Sequence, residues 1–232
     1  MPAINVAEFP AFLRAYRWTN VNHASRGYPG DTFPDFPWIQ SLEGRGVRIV
    51  AKGVITACPT DYLREILAWG AGKNDPGMKF EAGLGNVSLI VILQQVVASL
   101  EQPLAAIDAA LKIPGFGLTY ASKLLRFFDP GRYGSLDRRI RLALLKADLL
   151  PKIHDSYKSS MIEGYVKFQT LCESLVFELE SKGICRPECN LPSAASATGW
   201  RIADVEMALF TWADRGLQTE KGNQFETVNP DI

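Results

Sequence analysis

The chain has 232 residues, with 25 basic and 25 acidic side chains, 47% hydrophobic residues and only two histidines. This is enough for one large core or two small ones, and the balance excludes a disordered tail, a collagen-like repeat and a disulfide-dense mini-scaffold. The cysteines at 58, 172, 185 and 189 lack the paired spacing of a zinc or iron–sulfur site and read as reduced thiols. No metal and no cofactor are therefore expected. With only His23 and His154 available, any chemistry falls to carboxylates, lysines and hydroxyls.

The first fifth, through about Leu42, is rich in Pro, Gly and aromatics, as in Phe33-Pro34-Asp35-Phe36-Pro37-Trp38, a composition that breaks regular structure. It predicts one short helix near Glu8 to Arg17 and then a wrapped arm. Residues 1–59 are read as this irregular arm and residues 60–232 as a helical domain. Residues 46–57 fit a strand pair or a helix equally well. From Thr60, which suits an N-cap, Tyr62, Leu63, Ile66, Leu67 and Trp69 form an apolar face that stops at Gly70 and Gly72. Further helices are predicted over Asn86 to Leu100, Leu104 to Lys112, Leu118 to Phe128, Asp137 to Leu149, Ser156 to Lys182 and Ile202 to Arg215, with a surface loop over 183–199. Ser88, Gln94, Gln95 and Ser99 interrupt the longest apolar stretch, Val87 to Leu100, leaving it too short and too polar for a bilayer. Nor does Met1 to Trp18 follow the pattern of a signal peptide. A mainly α-helical, cytoplasmic protein is expected.

Within this pattern, Ile113-Pro114-Gly115-Phe116-Gly117 joins two amphipathic helices. Glycines there permit positive φ, and a turn opening a helix offers free N–H groups and a positive dipole end to an anion such as a DNA phosphate. Between residues 112 and 146 the chain carries eight basic side chains against Asp129 and Asp137. A local basic excess around such a turn is the footprint of phosphate neutralisation, although a solvated charged face has the same composition.

The turn, followed one helix later by Asp137 in Ser135-Leu136-Asp137-Arg138-Arg139, resembles the helix-hairpin-helix superfamily of DNA glycosylases. The likeness runs over about residues 60–215 in helix order. It implies a helical fold with two lobes flanking the hairpin, an essential aspartate at Asp137 and DNA contacts from Gly115, Gly117, Thr119, Arg138 and Arg139. Bifunctional members carry a lysine where this chain has Thr119, and here Lys123 follows one turn deeper on the same helical face. The run Tyr120-Ala121-Ser122-Lys123-Leu124-Leu125 resembles a bacterial branch of 8-oxoguanine DNA glycosylase-like proteins with a lysine at this later point. Two roles for Lys123 stay open: a neutral nucleophile that forms a Schiff base with the sugar, or a charged group that anchors a phosphate or pairs with Asp137. Asp137 equally fits a helix N-cap.

Excision of a base from duplex DNA requires a pocket for the flipped nucleotide. Glu206 and Phe210, at i and i+4 on the last helix, resemble the glutamine and stacking phenylalanine of 8-oxoguanine glycosylases. An acceptor-only glutamate suits the N1–H and N2–H₂ edge of a guanine-type base. The competing reading makes Phe210 and Trp212 core aromatics and Glu206 a surface acid, and Trp69 is read as a core residue. The function expected is a DNA-repair glycosylase acting as a monomer on double-stranded DNA with an oxidised purine, 8-oxoguanine favoured, with lyase activity if Lys123 reacts. The alternative is a catalytically inactive helix-hairpin-helix module that binds DNA or a protein.

Overall fold

The computed structural model describes residues 3–52, 59–71 and 76–226. Among them the chain is mainly α-helical, with eleven α-helices and one two-residue strand pair. Cys58 and the end of the 46–57 segment lie outside the described residues. No single described helix is long and apolar enough to cross a membrane.

The N-terminal region holds more regular structure than its composition predicts. Asn5 caps a 3-10 turn that leads into α1 (Phe9–Ala15), with Pro10 in the first turn. Asn20 and His23 form a capping box around α2 (Val21–Ser25). Strands β1 (Arg17–Trp18) and β2 (Asp31–Thr32) pair antiparallel, with Trp18 opposite Asp31. The irregular part ends at Phe36, because α3 (Pro37–Lys52) starts there on a proline with Trp38, Ile39, Leu42 and Ile49 buried. Residues 46–52, where strand and helix were equally open, are helical.

Helix α4 (Pro59–Gly70) buries the predicted face of Tyr62, Leu63, Ile66, Leu67 and Trp69. Helix α5 (Pro76–Gly83), which periodicity did not signal, and a 3-10 turn lead to α6 (Leu89–Ala98). Then come α7 (Pro103–Ala110), α8 (Leu118–Phe128), α9 (Arg138–Lys146), α10 (Lys158–Ser181) and α11 (Ile202–Glu226). Their bounds fall close to those read from the sequence except at the end of α11, which runs eleven residues past the expected Arg215, and Asp137 caps α9 rather than opening it as a helical residue. The 183–199 connection lacks helix and strand, yet Arg186, Leu191 and Thr198 in it are buried.

Two helices are encased. Helix α8 packs against α3, α4 and α7, and α11 packs against α1, α9 and α10. Every residue from Tyr120 to Phe128 and from Arg201 to Ala213 is buried. Polar residues in these stretches, Lys123, Arg126, Asp204 and Glu206 among them, therefore face protein rather than water.

Candidate active site

The Leu111–Gly117 turn is held by side chains of its own, Ile113 and Phe116, which are both buried. Helix α5 clasps it from outside: Phe80 packs on Phe116 with ring centroids 6.0 Å apart. Gly115 has φ +73°, and a Cβ there would lie 2.6 Å from the Pro76 carbonyl oxygen and 2.7 Å from the Phe80 nitrogen. Its glycine identity is thus required by the turn and by α5. Gly117, by contrast, is exposed, would tolerate a Cβ sterically, and opens α8 without a side-chain cap. Thr119 is half-buried, and its carbonyl accepts the Ser122 hydroxyl at 3.1 Å.

Lys123, one turn into α8, is 6% exposed. Its Nζ lies 4.3 Å from the centre of the Trp69 ring. Among the described residues no carboxylate comes within ion-pair distance of it. Burial pushes its pKa below the ordinary lysine value, opposed by the charges of Asp137 and Glu206 and reinforced by Arg126 and Arg139. The group is a desolvated amine between two acids and two guanidiniums, not a surface lysine.

Asp137 comes from the turn that follows α8. Its Oδ1 accepts the Ile140 amide at 2.9 Å, so the cap role is real, and its carboxylate still acts on Lys123. The turn is pinned on both sides. The Leu136 amide donates to Ser122 Oγ at 2.9 Å, Gly134 N donates to Gln169 Oε1 at 3.1 Å, and the Tyr165 hydroxyl donates to the Gly134 carbonyl at 3.0 Å. Ser122 thereby ties the lysine's helix to the residue before Asp137.

Glu206 and Phe210 approach from α11, one helical turn apart. Glu206 is 4% exposed; its Oε2 lies 3.3 Å from Arg126 Nε, and it also accepts the Ser135 hydroxyl. Burial raises its pKa, with Arg126 and then Lys123 opposing. Arg126, fully buried, reaches Glu43 Oε1 at 3.1 Å with its other arm. Glu43 pairs in turn with Arg201 at 2.7 Å, and Asp204 with both Arg201 at 2.8 Å and Arg186 at 2.7 Å. A buried chain of alternating charges thus runs from the lysine's neighbour across the core. Its members offset one another's desolvation, which an isolated buried ion lacks.

Phe210 meets Tyr16 at 5.5 Å and the edge of Trp18 at 6.0 Å. The Arg139 guanidinium lies 4.9 Å from the Phe210 ring and 5.8 Å from Trp18, and pairs with Asp214 at 3.4 Å. Arg139 is half exposed and Arg138 is exposed beside it.

The fold therefore gathers Lys123, Asp137, Glu206, Phe210 and Arg139 in one place. Gly115, Gly117 and Thr119 stay at the hairpin. Glu206 is not the surface acid of the competing reading, and Trp69, read as core, is buried but carries Lys123 on its face. Sequence reasoning missed Ser122, Arg126, Trp18 and Asp31. Only Arg126, three residues after Lys123, carried a positional signal for sharing its face. No protein family, curated protein or solved structure matches this chain.

Proposed function

We propose that this protein is a DNA-repair glycosylase with a helix-hairpin-helix glycosylase-like fold, which excises an oxidised purine, 8-oxoguanine foremost, and cleaves the strand through a lysine Schiff base. The observation that carries the reading is the convergence of Lys123, Asp137 and Glu206, from α8, the α9 cap and α11, around a lysine driven toward neutrality by burial. A neutral amine can attack the sugar C1′ as the bond from C1′ to the base nitrogen breaks, with the base leaving on that electron pair and taking up the proton that the new ammonium sheds. The adduct then opens to a protonated Schiff base, and loss of a C2′ proton expels the 3′ phosphate. Asp137 stabilises the positive charge that develops on the sugar during departure of the base.

Glu206 accepts hydrogens from the guanine-type edge, and Phe210 stacks on the extruded ring. Gly115, Gly117 and Thr119 at the hairpin, with Arg138 and Arg139 at the start of α9, hold phosphates and set the register of the double-stranded DNA. Since Arg139 covers the Phe210 ring in the free protein, phosphate binding must draw that guanidinium away before a base can stack.

The test is incubation with a duplex carrying 8-oxoguanine opposite cytosine, with and without borohydride. Cleaved strand and a covalent adduct that disappears in Lys123→Gln support the reading. Excision without an adduct moves the chemistry to an Asp137-activated water. Failure to excise any lesion in an oxidised-purine panel refutes the enzyme and favours a binding module.

A further inference from the structure

The arm preceding α3 supports the floor on which Lys123 rests. The lysine's contact with Trp69 holds only while the indole keeps one orientation. Three residues of the arm hold Trp69, one at the ring and two at its carbonyl. Trp69 Nε1 donates to Asp31 Oδ2 at 2.8 Å, and the Trp69 carbonyl accepts Trp18 Nε1 at 2.9 Å and Asn20 Nδ2 at 2.8 Å. The β1–β2 pairing sets Trp18 directly opposite Asp31, so one short ladder aligns both.

Asp31 is fully buried. Its Oδ1 accepts the Trp38 amide at 2.9 Å and the Ile39 amide at 3.0 Å, and its Oδ2 lies 3.3 Å from His23 Nε2. His23 Nδ1 accepts the Asn20 amide at 3.1 Å, which leaves Nε2 as the protonated nitrogen and a donor to Asp31. An acceptor-only carboxylate meets all four donors.

We propose that Asp31 is a positioning residue for Lys123, acting through Trp69. This rests on the reading of Lys123 as the reactive amine. An amide at position 31 keeps the helix cap through its oxygen, but its NH₂ then faces the indole N–H and the His23 Nε2–H, donor against donor. The indole must turn, and Lys123 loses the ring face against which its amine is packed. The charged groups acting on the lysine from the neighbouring elements, Asp137, Glu206, Arg126 and Arg139, remain.

The experiment measures single-turnover borohydride trapping on a duplex with one abasic site, which bypasses recognition of the lesion. Asp31→Asn is expected to slow trapping about tenfold or more through misplacement of the amine, with duplex affinity held within about threefold. Trp69→Phe keeps a ring face and needs no acceptor; in that background Asp31→Asn is expected to cost less than about twofold, as coupled residues in one chain require. Equal losses in both backgrounds overturn the proposal, as does an undiminished rate in a folded Asp31→Asn protein. If Asp31→Asn fails to fold alone, recovery of fold and trapping by Trp69→Phe supports the proposal and failure to recover overturns it. A wild-type protein that forms no adduct refutes the lysine reading itself, and is distinguished by that control from an error about Asp31.

Discussion

Replacing Arg126 with Met removes the cation shared by the buried carboxylates of Glu43 and Glu206. Arg126 is fully buried, 3.3 Å from Glu206 and 3.1 Å from Glu43. Breaking a buried pair from one side costs about 3–5 kcal/mol, because the remaining charge loses its partner. Glu43 keeps Arg201 at 2.7 Å, so most of the penalty falls on Glu206. Burial already raises the Glu206 pKa above its ordinary value of 4.5, and Arg126 is the largest charge opposing that rise. Without Arg126 the native carboxyl holds its proton to still higher pH, while the unfolded chain releases it near 4.5. Between those two pKa values the native state binds more protons, so stability falls as pH rises. The deficit against wild type is therefore small near the unfolded pKa and grows above it. Urea unfolding of both proteins at about pH 5 and about pH 8 measures it. A deficit below about 1 kcal/mol at the higher pH, or one equal at both, refutes the reasoning about this ion chain.

Asp137→Asn keeps an N-cap side chain, so stability should change by only a few tenths of a kcal/mol, while single-turnover excision should drop by about a hundredfold or more with duplex affinity retained; normal turnover would remove Asp137 from the mechanism. Phe210→Ala should cost about 3–5 kcal/mol of stability as a buried aromatic truncation. If the ring also stacks on the base, affinity for lesion DNA should fall by about 1–3 kcal/mol in a titration, and unchanged affinity would confine Phe210 to the core. Gly115→Ala places a methyl 2.6 Å from the Pro76 carbonyl oxygen at φ +73° and should destabilise by more than about 1 kcal/mol in thermal or urea unfolding. An effect within about 0.5 kcal/mol, the range of a neutral surface change, would mean that α5 does not clasp the turn.

The helical class and most helix bounds were legible because apolar spacing, proline and glycine act locally: α8 runs over Leu118–Phe128 as read, and the Asp137 cap is visible from residue type. The arm was less legible. Its two-residue strands are too short to show alternation, and α3 begins inside a proline-rich stretch where Pro37 serves as a first-turn residue instead of a breaker. The status of Glu206 was undecidable from periodicity, since a helix buried on all sides has no polar face against which to judge a polar residue.

Residue chemistry alone thus determined which groups can do acid, base or nucleophilic work, with Lys123, Asp137 and Glu206 chief among them. Tertiary structure decided that they meet. Burial on encased helices lowers the lysine pKa, Ser122 links its helix to the Asp137 turn, and Asp31 from the N-terminal arm accepts the indole N–H of the ring beneath it. Such long-range contacts are set by packing and by the need to pair every buried polar group, and neither leaves a periodic trace in the chain.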